Sequence, residues 1–168
     1  MKKQFVATVV LLITTTLLLS ACKNSNGETS ITKPTPNEMN ATLKNIENMQ
    51  AAYKGEVTAT AKYAAYAATA EKEGYHRIAL LFSAVSTAES IHANNHQAVI
   101  ENAGAHVPEI KPVFTIKSTK ENLQEDITDE AYEATTMYPN FIKTAAEANN
   151  DLAQLSLTYA MKTEKKHK

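Results

Sequence analysis

Apolar residues recur at spacings of three and four residues along four stretches of the chain, which is the period of an amphipathic helix. Gly74 and Gly104 are natural stops for the first two stretches, and Asn149 and Asn150 form a turn before the last. The pattern predicts four helices, over residues 40–73, 75–103, 120–147 and 151–168.

The segment 104–120 lacks a helical period and contains Pro108 and Pro112. We interpret it as a long crossover that lets the third helix run back beside the first pair. The prediction is an all-α four-helix bundle with one long crossover between helices 2 and 3. Pro139 lies inside the third helix and predicts a kink or a local irregularity there.

Glutamates occupy the apolar stripes of the first three predicted helices. Glu56, Glu89 and Glu130 align there with alanine, tyrosine and large aliphatic residues, and basic partners are scarce. A buried carboxylate is usually paired, protonated or bound to metal, because isolated burial is very costly. The fourth stripe is predicted to contain Leu152, Leu155, Tyr159, Thr163 and His167.

Two Glu-x-x-His motifs carry the candidate chemistry. Glu89 precedes His92 by three residues, and Glu164 precedes His167 by the same spacing, so each pair projects from one helix face. Each motif also follows a lone glutamate, Glu56 or Glu130, at nearly equal distance. Two helices that each give one Glu, with two that each give Glu-x-x-His, form the ligand set of a di-iron or di-manganese carboxylate bundle. Zinc is a further possibility for these oxygen and nitrogen ligands.

The alternative is that these glutamates lie on ordinary solvated faces, since a single Glu-x-x-His is weak evidence. Two copies with matching upstream glutamates favour the metal centre. Glu133, one turn beyond Glu130, either adds a seventh ligand or belongs to a solvated face.

Aromatic and histidine residues near these positions have alternative roles. Tyr63 and Tyr138 either fill the core or donate hydrogen bonds to ligating carboxylates, and both can hold. His96 is expected to lie past the metal layer, with direct ligation as the alternative. We assign no role to His76 and His106.

Residues 1–21 have the order of a secretory signal, in which Lys2 and Lys3 precede an apolar run that ends in small residues. The lone Cys22 that follows indicates a bacterial lipoprotein, lipidated at that cysteine, with residues 22–40 as a flexible tether. An uncleaved anchor, or an ordinary signal with an incidental cysteine, is the alternative. The expected location is the cell envelope, with the bundle formed by residues 41–168.

Composition excludes several classes of function for the mature part. It would hold 15 basic against 18 acidic residues, so nucleic acid is not an expected partner. With Cys22 as the single cysteine, neither a disulfide nor a cysteine nucleophile is expected in the bundle.

These residues resemble the rubrerythrin family over about residues 45–168. The first half of the resemblance includes Glu56, Tyr63 and the motif around Glu89, and the second includes Glu130, Glu133 and Glu164 to His167. The Met-Tyr-Pro at residues 137–139, after the Glu-x-x-Glu, is fairly specific.

The resemblance implies a ferritin-like bundle whose two non-haem irons reduce hydrogen peroxide to water. By position, Glu89 and Glu164 would bridge the metals, Glu56 and Glu130 would be terminal ligands, and His167 a fixed imidazole. His92 and Glu133 would be alternative ligands of one mobile iron. Tyr63 and Tyr138 match tyrosines beside the site.

The resemblance also bears on partners. Rubrerythrins commonly carry a four-cysteine rubredoxin module, whose cysteines these 168 residues lack, so an external electron-donor protein is expected. A homodimer and attachment to the membrane through the N-terminal lipid are further expectations. The alternatives to a peroxidase are an envelope iron- or manganese-binding protein or ferroxidase, and a structural bundle with vestigial ligands.

Overall fold

The computed structural model describes residues 35–167, and these form helices and connecting turns with no strand among them. Residues 1–34 and Lys168 lie outside the described part, so the predicted signal, lipidated Cys22 and most of the tether have no structural counterpart here. The helices are α1 (Pro36–Lys72), α2 (His76–Asn102), α3 (Thr119–Tyr132), α4 (Tyr138–Glu147) and α5 (Asp151–His167). A π-helical turn, Glu133–Met137, joins α3 to α4.

Local sequence signals explain where the helices begin and end. Thr35 and Ser118 each accept a hydrogen bond from the backbone N–H of a glutamate three residues on, in capping boxes that start α1 and α3. Gly74 and Gly104 have φ values of 83° and 66°, in the left-handed region that glycine adopts without strain. The first helix begins at Pro36, earlier than expected, because Thr35 and Pro36 supply a cap and a first position.

The third predicted helix is interrupted just before Pro139. The wider π turn ends at Met137, and Pro139 follows at the start of α4, where its missing N–H needs no partner. The irregularity expected from Pro139 is therefore present. The wider turn shifts the helical register of α4 relative to that of α3.

The bundle has two apolar clusters with a polar layer between them. One cluster lies between α1, α2, α4 and α5 and contains Met49, Ile100, Tyr138 and Leu157. The other lies mainly between α1 and α2, around Tyr63, Tyr66 and Phe82, and its rings pack 5.4–6.0 Å apart. Glu56 and Glu89 lie between the clusters along α1 and α2.

The stripe predicted for the last helix was wrong in its large residues. Leu152, Leu155 and Tyr159 are 50–58% exposed, while the buried face of α5 consists of Ala153, Leu157, Ala160 and Glu164. The small alanines allow this helix to approach its neighbours closely, so they occupy the interior in place of the larger side chains. Ile127 of α3 is likewise exposed, and Asn122 and Asp126 are buried on that helix.

The crossover, residues 103–118, runs along the outside of α1. Gln50 donates a hydrogen bond to the carbonyl of His106 at 2.7 Å, and the hydroxyl of Tyr66 donates to the carbonyl of Thr115. Among the helices of residues 35–167, none is long and apolar enough to cross a membrane.

Candidate metal centre

Six of the seven predicted ligands meet in the polar layer of the bundle. They form two groups, and within each group the candidate ligand atoms lie within 4.8 Å of one another. The first group is Glu56, Glu89, His92 and Glu164, and the second is Glu89, Glu130, Glu164 and His167. Because Glu89 and Glu164 belong to both groups, they have the placement of carboxylates that bridge two ions.

The two histidines are in closely matching environments. Nδ1 of His92 lies 2.9 Å from Oε2 of Glu89, 3.1 Å from Oε1 of Glu164 and 3.5 Å from Oε1 of Glu56. Nδ1 of His167 lies 2.9 Å from Oε2 of Glu164, 3.2 Å from Oε1 of Glu89 and 3.4 Å from Oε2 of Glu130. The Nδ1 atom of each histidine therefore faces three carboxylate oxygens.

Several of these buried atoms have no hydrogen-bond partner among residues 35–167, despite the short distances. They are Glu89 Oε1, Glu130 Oε2, both carboxylate oxygens of Glu164, and His167 Nδ1. Unpaired buried polar atoms are rare because each costs about 1–3 kcal/mol. Atoms that converge without hydrogen bonding one another are suited to a shared cation, and oxygen with imidazole nitrogen suits iron, manganese or zinc. This donor set fits a di-iron site.

The pKa values of the two histidines reflect the negative charge of the metal-free cluster. Burial alone would lower the pKa of His92, but the carboxylates of Glu164, Glu56 and Glu89 outweigh it and raise that pKa to about 12. The pKa of His167 is also raised to about 12 by the carboxylates around it. Without bound cations the carboxylates therefore favour the protonated form of each imidazole, and metal binding would require these protons to leave.

Two tyrosines donate hydrogen bonds to Glu56 and Glu130, the two glutamates that each belong to a single group. The hydroxyl of Tyr63 on α1 donates to Oε1 of Glu130 on α3 at 2.5 Å, and the hydroxyl of Tyr138 on α4 donates to Oε1 of Glu56 on α1. Both tyrosines are buried and also pack in the apolar clusters. The core and hydrogen-bonding interpretations from the sequence therefore hold together.

Glu133 lies beside the cluster and belongs to neither group. It is the first residue of the π turn and lines a cleft of about 550 Å³ between α1, the crossover and α3, together with Gly55 and Lys62. Burial, followed by the negative charges of Glu56 and Glu130, raises the pKa of Glu133 to about 9. In the metal-free chain this shift favours the protonated carboxyl group at neutral pH.

Sequence reasoning gave His96 no firm role and did not consider Asp126. His96 lies outside both groups, past the metal layer as expected, and hydrogen bonds to Tyr138 and Ser156. Asp126, buried one turn before Glu130, has its pKa raised to about 6 by burial and then by the charge of Glu130. Its position one turn before a ligand glutamate was the available signal.

The chain is similar in sequence to one family of known proteins. A family model described as Rubrerythrin matches residues 47–168. Nigerythrin from Nitratidesulfovibrio vulgaris is 37% identical over 125 residues, which cover 73% of this chain and 61% of that protein. Rubrerythrin from Porphyromonas gingivalis is 35% identical over 121 residues, covering 70% of this chain and 60% of that protein. The chain spans about three-fifths of the length of these curated relatives.

Solved structures confirm the predicted ferritin-like architecture. Nigerythrin in a partially reduced state superposes with a TM-score of 0.68 at 38% identity, covering 73% of this chain and 61% of that one. A Rhodobacter capsulatus bacterioferritin with a metal-free dinuclear site gives a TM-score of 0.67 at 23% identity, covering 74% of this chain and 79% of that one. The second likeness supports the four-helix fold alone.

Proposed function

Because the chain belongs to the rubrerythrin family, we propose that it is a non-haem di-iron peroxidase, which reduces hydrogen peroxide to water. The net reaction takes one peroxide, two protons and two electrons to two waters. The electrons would come from an external donor protein. The observation that carries the proposal is the pair of overlapping carboxylate–histidine groups with unpaired buried atoms.

The residues of the two groups would bind two metal ions, one in each group. Glu89 and Glu164 would bridge, Glu56 with His92 would complete one site, and Glu130 with His167 the other. Bound iron would supply electrons to peroxide and Lewis acidity for cleavage of its O–O bond. Tyr63 and Tyr138 hold the terminal carboxylates in place, and such partners orient ligands and tune their basicity.

Glu133 is suited to supply a proton during the reaction. In the metal-free chain its pKa is raised to about 9, and its side chain lines the cleft, close enough to the cluster for the charges of Glu56 and Glu130 to contribute to that rise. Bound cations would offset the carboxylate charges and lower this pKa toward the working pH, where a group can give a proton and regain it from solvent through the cleft. After it loses its proton, Glu133 would become an additional anionic ligand candidate beside the Glu56 group.

The proposal places the enzyme in the cell envelope, attached by lipid at Cys22. The order of charge, apolar run and small residues before that cysteine supports this location. Expression with a radiolabelled or clickable fatty acid should label the wild-type protein and leave Cys22→Ala unlabelled. Equal labelling of both would overturn the lipid anchor without touching the metal chemistry.

The direct test of activity is stopped-flow oxidation of the purified protein loaded anaerobically with two equivalents of Fe(II). Peroxide should oxidise the centre faster than dioxygen by orders of magnitude. If dioxygen is as fast, the protein is a ferroxidase or an iron handler. If no Fe(II) binds, the bundle is structural with vestigial ligands.

Glu133→Gln sharpens this test because the amide keeps the size of the side chain and removes its acidic proton. The variant should bind two Fe(II) while its oxidation by peroxide slows by about 10²–10⁴-fold, the usual contribution of a positioned proton donor. Exposed Glu47→Gln is the matched control and should react as the wild type does. Equal rates for both variants would remove Glu133 from the mechanism.

A further inference from the structure

A line of four hydrogen-bonded side chains runs from the outer part of α5 to the metal cluster. Oγ of Ser156 lies 2.8 Å from Nδ1 of His96, and Nε2 of His96 lies 3.3 Å from the hydroxyl of Tyr138. That hydroxyl donates to Oε1 of Glu56. His96 and Tyr138 are fully buried, whereas Ser156 is partly exposed. The line therefore connects α5, α2, α4 and α1.

The direction of these hydrogen bonds follows from which atoms carry protons. A carboxylate only accepts, so the single hydroxyl proton of Tyr138 points at Glu56. Nε2 of His96 lies 3.3 Å from the Tyr138 oxygen and 3.8 Å from Oε1 of Glu56, and because both oxygens can accept, these contacts place the ring proton on Nε2. With the ring proton on Nε2, Nδ1 is the acceptor, and the Ser156 hydroxyl donates to it. All three protons point toward the cluster.

Within the described part of the chain, no equivalent arrangement lies behind the tyrosine of the other half of the centre. Tyr63 donates to Glu130, but the carboxylate of Asp126 also faces the Tyr63 hydroxyl. Two carboxylates there compete for one proton. On the Glu56 side, the group next to the Tyr138 hydroxyl is the N–H donor of His96. The hydroxyl of Tyr138 therefore donates its hydrogen bond to Glu56 without a competing acceptor at that position.

We propose that His96 is a positioning residue, which orients the Tyr138 hydroxyl toward Glu56 and thereby sets the metal affinity of the Glu56 group. Ser156 assists by fixing the ring in the tautomer that places the N–H on Nε2. The inference rests on the proposed metal centre and is independent of peroxidase turnover. A merely structural role would require only that His96 fill its space and satisfy its own nitrogens.

Two amide substitutions separate the roles of the ring nitrogens. In His96→Gln the amide N–H can reach the position of Nε2 and donate to Tyr138. In His96→Asn the shorter side chain reaches toward Ser156 and leaves Tyr138 without its donor. Tyr138→Phe removes the hydroxyl itself. Each metal-free variant is first compared with the wild type by thermal unfolding, which establishes that it is folded.

The measurement is titration of the metal-free protein with Co(II), followed by its visible d–d absorption. Wild type should bind two ions. His96→Asn and Tyr138→Phe should each weaken one of the two by about 10–100-fold and alter its absorption, as loss of a ligand's hydrogen-bond partner typically does. His96→Gln should stay close to the wild type. The double variant His96→Asn/Tyr138→Phe should lose no more than Tyr138→Phe alone, since both changes break the same connection.

Three results would overturn the positioning role. They are wild-type Co(II) affinity in His96→Asn, equal loss in the Gln and Asn variants, and additive losses in the double variant. If the wild type itself binds no Co(II), the proposed metal centre fails and this inference fails with it. If it binds two ions and the variants do not differ, the inference alone fails.

Discussion

The hydroxyl of Tyr63 donates a 2.5 Å hydrogen bond to Oε1 of Glu130, 67 residues further along the chain. The bond joins α1 to α3 at the edge of the polar layer. Oε2 of Glu130 has no hydrogen-bond partner among residues 35–167 and lies 3.4 Å from Nδ1 of His167, so one oxygen is anchored and the other faces the second ligand group.

Tyr63→Phe should weaken metal binding in the group that contains Glu130, by about 10–100-fold. The phenylalanine keeps the ring that stacks on Phe82 but removes the donor that orients the carboxylate. Metal titration of the purified variant measures the loss. Tyr66→Phe is the matched control, because Tyr66 is equally buried in the same aromatic cluster and its hydroxyl contacts Thr115 and Glu125 instead. Equal losses in both variants would contradict a specific role for the Tyr63 hydroxyl.

The two bridging positions predict a difference in metal stoichiometry. Glu164→Gln should abolish binding of both ions, because Glu164 belongs to both groups, whereas Glu56→Gln should spare the ion held by the Glu130 group. Elemental analysis of the desalted protein after loading gives the number of ions per chain, and circular dichroism verifies the helical fold. One retained ion in Glu164→Gln would refute the bridging assignment.

Glu133 predicts how the stability of the metal-free protein changes with pH. Its pKa is about 9 in the folded chain against an ordinary 4.5, so the folded state holds a proton that the unfolded state has lost. Stability should therefore fall as pH rises from about 4.5 to about 9, by up to about 1.4 kcal/mol per pH unit from this group. Glu133→Gln removes that contribution.

Urea unfolding at a series of pH values measures the effect. The Gln variant should be more stable than the wild type near pH 8.5, and the two should converge near pH 5. Glu47→Gln on the surface controls for the loss of one negative charge. Parallel curves for wild type and Glu133→Gln would show that Glu133 titrates alike in both states.

Gly55 and Gly74 predict opposite effects of the same substitution. A Cβ at either position would meet no atom within 4 Å, so neither change causes a clash. Gly55 lies inside α1, where alanine should stabilise the fold by about 0.5–1 kcal/mol. Gly74 has φ +83°, where alanine should cost about 1–2 kcal/mol. Thermal unfolding of both variants checks the pair, and shifts of the same sign would contradict it.

Much of the candidate site could be predicted because its geometry is local. The Glu-x-x-His spacing places Glu89 and His92 on one face of one helix, whatever the rest of the chain does. The matched upstream positions of Glu56 and Glu130 required only that the helices pack side by side. The helices themselves follow from the apolar period and from stops such as Gly74 and Gly104.

Other features depended on contacts between distant segments. The rule that large apolar residues face inward failed for Leu155, because close helix packing favoured Ala153 and Ala160 on the buried face. Glu133 is the first residue of the π turn and lies outside both groups, which the regular helical period expected for α3 did not indicate.

By itself the sequence determined the all-helical fold, the order of the helices and six ligands that meet in the polar layer, since these follow from helical period and spacing. Only the tertiary structure decided which atoms pair. It assigned Tyr63 to Glu130 and Tyr138 to Glu56, and it placed His96 behind Tyr138. Hydrogen bonds depend on distances of a few tenths of an ångström between helices, and periodicity along one helix contains no information about those distances.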